Sequence, residues 1–181
     1  MTTAGALKES VCQSIEENRE RIIGVGEAIM DDPELGFKEH RTAEKVQEVF
    51  SDLGLEFDSE LGLTGVKAVI RGGQPGPTVA LMGELDALQV PGHPRANPDT
   101  QAAHACGHNA QIAGLMGAAV GLQASGIVQE LAGNIVFLAV PAEEYVEIDY
   151  RLGLVREGKT SFLCGKQELI KLGHFDDVDM A

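Results

Sequence analysis

The sequence predicts an α/β domain in which a mostly parallel sheet is flanked by helices. Amphipathic stretches with helical spacing alternate with short apolar runs of strand length, a pattern typical of helices packed on a sheet. Aromatic residues make up 4% of the 181 residues and Trp is absent, so the core must be built from Ala, Val, Ile, Leu and Gly. This length is enough for one domain, and no linker or internal repeat divides the chain.

The first part of the chain predicts two amphipathic helices. Between residues 6 and 30, apolar residues recur at spacings that describe one helix face. Pro33 and Gly36 then interrupt this pattern. A second helix is predicted to begin at Thr42, as its N-cap, and to end before Gly54. The face of the first helix consists of Leu7, Val11, Ile15, Ile22, Val25 and Ile29.

The middle of the chain predicts two strands, at residues 66–70 and 78–82. The segment that joins them, 72–77, is rich in Gly and Pro, so we expect the two strands to be adjacent and antiparallel.

The second half predicts a helix, a strand and another helix. Residues 109–124 and 165–172 have helical character, and residues 134–140 form a continuous apolar run. A run of this kind is typical of a strand buried on both faces.

Composition and charge exclude several classes of function. The net charge of −14 argues against binding a nucleic-acid backbone and gives no support to binding an anionic membrane. There is no apolar run of about 18 residues, the length that a bilayer span needs. The first residues lack the features of a signal peptide. Three widely spaced cysteines do not resemble a disulfide framework, so we expect a cytoplasmic, reduced protein.

Titratable side chains cluster at three places, each where a strand or loop meets the next element. In open α/β sheets ligands bind at the carboxyl ends of the strands, so this repeated placement predicts one shared site. The three groups are Glu84 with Asp86, then His104, Cys106 and His108, then Glu143 with Glu144.

Cys106 and His108 are spaced to hold one cation. Residues i and i+2 of an extended segment project to the same side, and Gly107 lets the backbone approach a ligand. The start of the following helix would favour the thiolate of Cys106. Thiolate and imidazole suit Zn²⁺, Co²⁺ or Ni²⁺, with Mn²⁺ where carboxylates join.

Glu143 and Glu144 are predicted to divide two tasks. Adjacent residues at a strand end point in different directions, so one carboxylate would bind metal and the other would act as general base toward water.

Each group also has a purely structural interpretation. A lone cysteine such as Cys106 is commonly a buried core thiol. The adjacent pair Glu143 and Glu144 is typical of a solvated surface, although its place directly after a buried strand favours a functional role. Glu84 and Asp86 are equally typical of a capped turn.

Four ordered stretches resemble the M20 family of metallopeptidases and amidohydrolases. They are DPELGFKEHRTA, GELDAL, HACGHNAQIAGLMGAA and VPAEE. The chain is most similar to the aminoacylase-like branch, which includes aminobenzoyl-glutamate and auxin-conjugate hydrolases. The resemblance extends from about residue 15 to the end of the chain.

The resemblance implies a co-catalytic site with two divalent metal ions, which could be Zn, Mn, Co or Ni. Cys106 and His108 match the metal ligands of the family's CGH motif, and Glu144 matches a metal-binding carboxylate. Glu143 matches the general base. Asp86 matches the Asp that, in other branches, orients a metal-binding His two residues earlier.

Three positions depart from the family pattern. Glu84 stands where that earlier His would be, which leaves its role open. Members of this branch often read CGHDxH, whereas Asn109 and Gln111 occur here, so we expect weaker support for the ligands from this side.

The resemblance also implies an incomplete enzyme. Residues 1–181 match the amino-terminal part of a zinc-peptidase-like catalytic domain, without the smaller dimerisation or lid domain and without the carboxyl-terminal part. The implied reaction is hydrolysis of an amide bond in an N-acyl amino acid, small peptide or conjugate, by a protein that could be a homodimer. We expect the 181-residue chain alone to be weak or inactive.

Two alternatives remain open at this point. The chain could be a non-catalytic metal-binding or regulatory fragment. It could also be a thiol hydrolase that uses Cys106 as its nucleophile.

Overall fold

The computed structural model describes residues 3–181, and its central element is the apolar strand β6 (Ala132–Val140). β6 is an inner strand of a four-stranded sheet. Helices cover the sheet, which confirms the predicted α/β class. The other strands are β1 (Phe57–Leu61), β2 (Gly65–Arg71), β3 (Gln74–Glu84), β4 (Leu88–Gln89) and β5 (Ala102–Ala103). The four-stranded sheet has the order β1-β2-β6-β3. The helices are α1 (Ala4–Glu17), α2 (Arg19–Met30), α3 (His40–Asp52), α4 (His108–Ala124), α5 (Ile148–Arg156) and α6 (Gly165–Lys171), with a short 3₁₀ helix at Ile127–Glu130.

The sheet is mixed, so the expectation of a mostly parallel sheet is wrong. β3 runs parallel to β6, whereas β2 runs antiparallel to β6 and β1 runs antiparallel to β2. The one parallel pair is joined through α4, the kind of crossover that parallel strands require. β4 and β5 form a separate two-stranded antiparallel sheet.

β2 and β3 are not adjacent, which corrects a second prediction. β6 lies between them, because a strand that is apolar on both faces loses most water contact in the middle of a sheet. The Gly and Pro segment does not form a hairpin. Instead, Gly72 donates to the carbonyl of Gly133 and Gly73 to that of Val128, so the chain passes around the start of β6.

The first predicted helix is divided in two at Asn18. Its side chain donates to the carbonyl of Ser14 at 2.8 Å, and α2 begins at the next residue. Thr42 lies inside α3 rather than at its N-cap. Its N–H and its hydroxyl both donate to the buried carboxylate of Glu34, at 2.8 and 3.0 Å. Gly54 follows α3 with φ of +68°, as a helix-ending residue does.

α4 is the helix that connects the core to the candidate site. It packs against α1 and α2 on one side and against β3 on the other. A Cβ at Gly121 would lie 2.6 Å from the Ile15 side chain, so a larger residue there would force Ile15 to shift. The main core of the protein combines apolar side chains of α2, α3, α4 and the sheet, including Ile29, Val46, Phe50, Val66, Ile112, Met116 and Phe137.

Five elements have no counterpart in the sequence prediction: β1, β4, β5, α5 and the short 3₁₀ helix. β1 carries three exposed residues in its centre, so it lacks the apolar alternation by which a strand is recognised. β4 and β5 have two residues each, which is too short for a periodic signal. None of the helices in residues 3–181 has the length and apolar character needed to cross a bilayer.

Phe137→Ala should lower the free energy of unfolding by about 3–5 kcal/mol, because it removes a large side chain from the core. The Phe137 ring is fully buried in β6, with its centroid 6.4 Å from that of Phe50. Denaturant unfolding followed by circular dichroism measures this loss. The matched control is Phe162→Ala, at a ring that is 41% exposed. Equal losses from the two substitutions would contradict the central position of β6.

Candidate metal centre

The candidate site lies where the parallel strands β3 and β6 end. Their register pairs Glu84 with Val140, so the residues that follow each strand emerge at the same edge of the sheet. The N–H of Leu85 donates to the carbonyl of Val140 and holds the two strand ends together. α4 begins beside this edge, with Gly107 as its N-cap at φ of +100°. The three predicted groups of titratable residues therefore converge.

Asp86 is fully buried, and its carboxylate binds the backbone of the Glu pair. One carboxylate oxygen accepts the N–H of Glu143 at 3.0 Å, and the other accepts the N–H of Glu144 at 2.9 Å. Ala142, just before the pair, has φ of +48°, a turn conformation that is unusual for a side chain other than glycine. Asp86 therefore fixes the directions in which the two glutamates leave the strand, and it acts as a positioning residue.

His108 is oriented by the backbone of Asp86. Nδ1 lies 2.7 Å from the Asp86 carbonyl oxygen, an acceptor, so Nδ1 carries the proton that makes this bond. Nε2 is then the nitrogen that faces the site. It lies 3.1 Å from Glu84, 3.7 Å from Glu143 and 3.9 Å from Glu144. This orientation is the one that a metal-binding imidazole needs.

The site residues form two sets of potential metal ligands. The sulfur of Cys106, an imidazole nitrogen of His108 and a carboxylate oxygen of Glu144 all lie within 4.8 Å of one another. Glu84, His108 and Glu143 form a second set by the same measure. The structure thus brings together Cys106, His108 and Glu144, the predicted ligands, and places Glu143 in the other set.

The electrostatics of the site fit a divalent cation. Burial alone lowers the pKa of His108, but the hydrogen bonds and charge of Asp86, together with the charge of Glu84, outweigh it and raise the pKa to about 9. A hydrogen bond to Glu144 and the surrounding carboxylates raise the pKa of Cys106 above its usual value. Both shifts report an excess of negative charge. Sulfur, imidazole and carboxylate donors suit Zn²⁺ or Co²⁺.

The raised pKa of Cys106 corrects one expectation. The start of α4 predicts a thiolate, but Glu144 foremost, with burial, Glu143 and Glu84, raises the pKa of Cys106. A nucleophilic cysteine needs a lowered pKa, so this environment argues against a thiol hydrolase.

Two cationic side chains at the site were not identified from the sequence as parts of it. Lys166, in the first turn of α6, contacts Glu84 and lies 3.7 Å from Glu143. Burial lowers its pKa, but the Glu84 carboxylate outweighs this and raises it. Arg151 of α5 is 1% exposed, and its guanidinium lies 3.9 Å from Asp86. A charged residue within a helix gives no sequence signal that it points inward.

Glu39 is a third group that the sequence did not reveal. Its fully buried carboxylate accepts the N–H of Ala142 at 2.7 Å and the hydroxyl of Thr64 at 2.6 Å. Burial, together with the charge of Asp86, raises its pKa to about 7. Glu39 therefore supports the turn before the Glu pair by binding the N–H of Ala142. Asp86 binds the next two N–H groups, those of Glu143 and Glu144.

The remaining polar residues of the HACGHNAQ stretch face elsewhere or lack partners. His104 is 3% exposed, and neither ring nitrogen has a hydrogen-bond partner within residues 3–181. Burial and the charge of His108 lower its pKa to about 4. The side chain of Asn109 donates to the carbonyl of Gly26 at 3.2 Å, so it ties α4 to α2. Gln111 is exposed.

Comparison with known families agrees with this geometry. Residues 80–163, which include all the candidate ligands, match the family described as Peptidase family M20/M25/M40. The chain belongs to the M20 family. The resemblance seen in the four sequence stretches is thereby confirmed.

Relatives of this M20 chain include peptidases and amidohydrolases. It is 36% identical over 146 residues to thermostable carboxypeptidase 1 of Saccharolobus solfataricus, a match that covers 76% of this chain and 36% of that protein. It is 30% identical to the N-acyl-L-amino acid amidohydrolase of Geobacillus stearothermophilus, over 96% of this chain and 43% of that protein. The chain thus spans well under half the length of these relatives.

A solved M20 structure has the same fold. The YxeP protein of Bacillus subtilis, described as a dinuclear metal binding peptidase of the M20 family, superposes with a TM-score of 0.70 at 26% identity. The match covers 90% of this chain and 41% of that one.

Glu39→Gln should remove a pH dependence of stability. Because the folded pKa of about 7 exceeds the ordinary value of 4.5, Glu39 lowers the stability of the wild type as pH rises from about 4.5 to about 7. Glutamine keeps both hydrogen bonds, since its carbonyl accepts from Ala142 and its amide donates to Thr64. The variant should therefore gain roughly 3 kcal/mol over the wild type across this window and keep that difference above it. Urea unfolding at several pH values measures it.

The control for this experiment is Glu9→Gln, at an exposed position of α1. A difference between Glu39→Gln and wild type that stays constant from pH 4 to pH 8 would contradict the raised pKa of Glu39.

Asp86→Asn should destabilise the fold by about 1–3 kcal/mol. The NH₂ group of asparagine would replace one of the two acceptor oxygens, so a donor would face a backbone N–H that loses its hydrogen bond. The matched control is Asp179→Asn, at an exposed residue where one carboxylate oxygen accepts the N–H of Thr78, a bond that the amide oxygen of asparagine retains. Denaturant unfolding compares the two. A smaller loss at position 86 than at position 179 would show that the two hydrogen bonds of Asp86 do not hold the Glu pair.

Proposed function

We propose that the protein to which this chain belongs hydrolyses an amide bond in an N-acyl amino acid, small peptide or conjugate, with the help of two divalent metal ions. The observation that carries the proposal is the convergence of Cys106, His108 and Glu144 beside Glu143, at the edge where β3 and β6 end. The named activities of the two relatives and the dinuclear metal binding of YxeP support it.

Cys106, His108 and Glu144 are the residues that would hold an ion. A divalent ion supplies a Lewis acid that polarises the scissile carbonyl and acidifies water. The thiol must lose its proton to bind, and so must Nε2 of His108, so ion binding releases protons from both groups.

Glu143 is the proposed general base. Its carboxylate is partly exposed and faces His108 without being in the ligand set that includes Cys106. It can take a proton from the attacking water and deliver it to the departing amine. Asp86 binds the backbone N–H of Glu143, so the position from which the Glu143 side chain extends is fixed before a substrate binds.

The 181-residue chain alone is proposed to be a weak or inactive catalyst. Two ions need more ligands than Cys106, His108 and Glu144 supply. The chain also spans only 36% and 43% of the two relatives, whose remaining length has no counterpart here.

Cobalt binding tests the ligand set directly in this chain. A thiolate bound to Co²⁺ gives a charge-transfer absorption in the near ultraviolet, so adding Co²⁺ to the wild type should produce that band. Cys106→Ala should abolish it, because no other ligand of the set is a thiol. Cys12→Ala, at an exposed cysteine of α1, is the matched control and should retain the band. A band that survives Cys106→Ala would sink the proposed ligand set.

Hydrolysis assays test the activity. The chain, supplied with Zn²⁺ or Mn²⁺, is assayed on N-acyl amino acids beside the Geobacillus stearothermophilus amidohydrolase. We expect turnover far below that of the relative, and Glu143→Gln should reduce any residual rate by about 10²–10⁴-fold. Turnover equal to the relative would refute the incomplete site. A residual rate that Glu143→Gln leaves unchanged would count against Glu143 as the base, and one bound ion without any hydrolysis would favour the non-catalytic alternative.

A further inference from the structure

Arg151 is a charged side chain of α5 that lies inside the protein. Its Nη1 donates to the carbonyl of Leu163 at 2.7 Å and to that of Ala142 at 3.4 Å. Within residues 3–181, Nε and Nη2 have no hydrogen-bond partner. A buried guanidinium with two unpaired nitrogen atoms is costly, and an apolar side chain would fill the same space with a better effect on stability. The position therefore calls for an explanation other than packing.

The peptide group between Ala142 and Glu143 is the first part of that explanation. Its oxygen accepts from Arg151 Nη1 and also from the N–H of Gly165, at 3.1 Å. Its N–H, which belongs to Glu143, donates to Asp86 at 3.0 Å. Arg151 and Asp86 thus hold one peptide group from its two ends.

This peptide group follows a residue in an unusual conformation. Ala142 has φ of +48°, a left-handed conformation that a side chain disfavours and that persists only where the surroundings fix it. Its N–H donates to the buried carboxylate of Glu39 at 2.7 Å. Glu39 therefore acts on the amide side of this residue, and Arg151 acts on its carbonyl side.

The guanidinium of Arg151 also faces the carboxylate that binds the Glu pair. Nη2 lies 3.9 Å from Oδ2 of Asp86, the oxygen that accepts the N–H of Glu144 at 2.9 Å. This distance is longer than a hydrogen bond, so the positive charge stabilises the buried carboxylate without competing for its acceptor sites. Both oxygens of Asp86 remain available to the backbone of the Glu pair.

The loop before α3 closes around the guanidinium. A Cβ at Gly36 would overlap Nη2 of Arg151 and would lie 3.0 Å from Cα and Cβ of Ala142. The ring of Phe37 covers the guanidinium, with its centroid 5.5 Å from Cζ. Packing therefore holds Arg151 in place before any ion binds.

We propose that Arg151 is a positioning residue of the metal centre. It fixes the peptide group between Ala142 and Glu143, and it thereby sets the directions in which the Glu pair extends. Arg151 itself is not among the groups that would bind the ion. The inference rests on the proposed function, because it presupposes that the Glu pair serves an ion.

Amide hydrogen exchange tests whether the effect of Arg151 is local. Arg151→Met keeps an unbranched side chain and removes the charge and the donors. We expect the protection of the Glu143 and Glu144 amides to fall at least about tenfold further than that of the Val46 amide, in the buried face of α3. A merely structural role would act through global stability, and the protection of the Val46 amide would then fall at least as far.

Co²⁺ binding tests whether the ion site depends on this turn. With the thiolate band as the signal, Arg151→Met should raise the dissociation constant for Co²⁺ about tenfold, because groups that orient metal ligands commonly change affinity by this much. The matched control is Arg156→Met, in the last turn of the same helix, where the side chain is exposed. It should match wild type in both measurements.

Two results overturn the inference. The protection of the Val46 amide could fall as far as that of the Glu pair, or the dissociation constant for Co²⁺ could stay within about threefold of wild type. Failure of the proposed function is distinguishable from both, since it would appear as absence of the thiolate band in the wild type.

Arg151→Lys decides in place of Arg151→Met if thermal unfolding shows that the methionine variant does not fold. One ammonium group cannot reproduce both carbonyl bonds of the guanidinium together with its charge beside Asp86. Reduced protection confined to the Glu pair would then support the inference, and any other result would refute it.

Discussion

The arrangement of the candidate site depends on the buried residue Asp86. Its carboxylate accepts the N–H groups of Glu143 and Glu144, and its backbone carbonyl accepts Nδ1 of His108. A single residue thereby links the end of β3, the start of α4 and the end of β6. A buried carboxylate is stable only when its oxygens are hydrogen-bonded. The same bonds that satisfy Asp86 therefore determine where the site residues lie.

Crowding of negative charge explains the electrostatics of the site. Asp86 and Glu84 outweigh burial and raise the pKa of His108 to about 9, whereas Glu144, Glu143 and Glu84 raise the pKa of Cys106. The charge of Asp86 also contributes to the raised pKa of Glu39. The protein supplies Lys166 and Arg151 as counter-charges, one at the rim and one in the interior. A divalent ion complements the charge that they leave unbalanced.

The division between Glu143 and Glu144 gives the site its asymmetry. Glu144 faces Cys106, a sulfur ligand, whereas Glu143 faces Glu84 and the ammonium group of Lys166. Both glutamates are held by the same carboxylate, so neither can turn into the other's place without breaking a bond to Asp86. Different chemistry at adjacent residues is what metal-assisted hydrolysis requires, because one group binds the ion and another moves the proton.

The sequence by itself determined the α/β class, the buried strand β6, most helices and the candidate ligands, because these depend on local periodicity and on the chemistry of short motifs. Spacing alone predicted that Cys106 and His108 could hold one ion. Only the tertiary structure decided the strand order, in which β6 separates β2 from β3, because pairing joins residues far apart in sequence. The tertiary structure alone also revealed Glu39, Arg151 and Lys166 at the site, because they too contact residues far away in sequence. Their charges are ordinary in the sequence, and they become functional candidates through the partners that the fold places beside them.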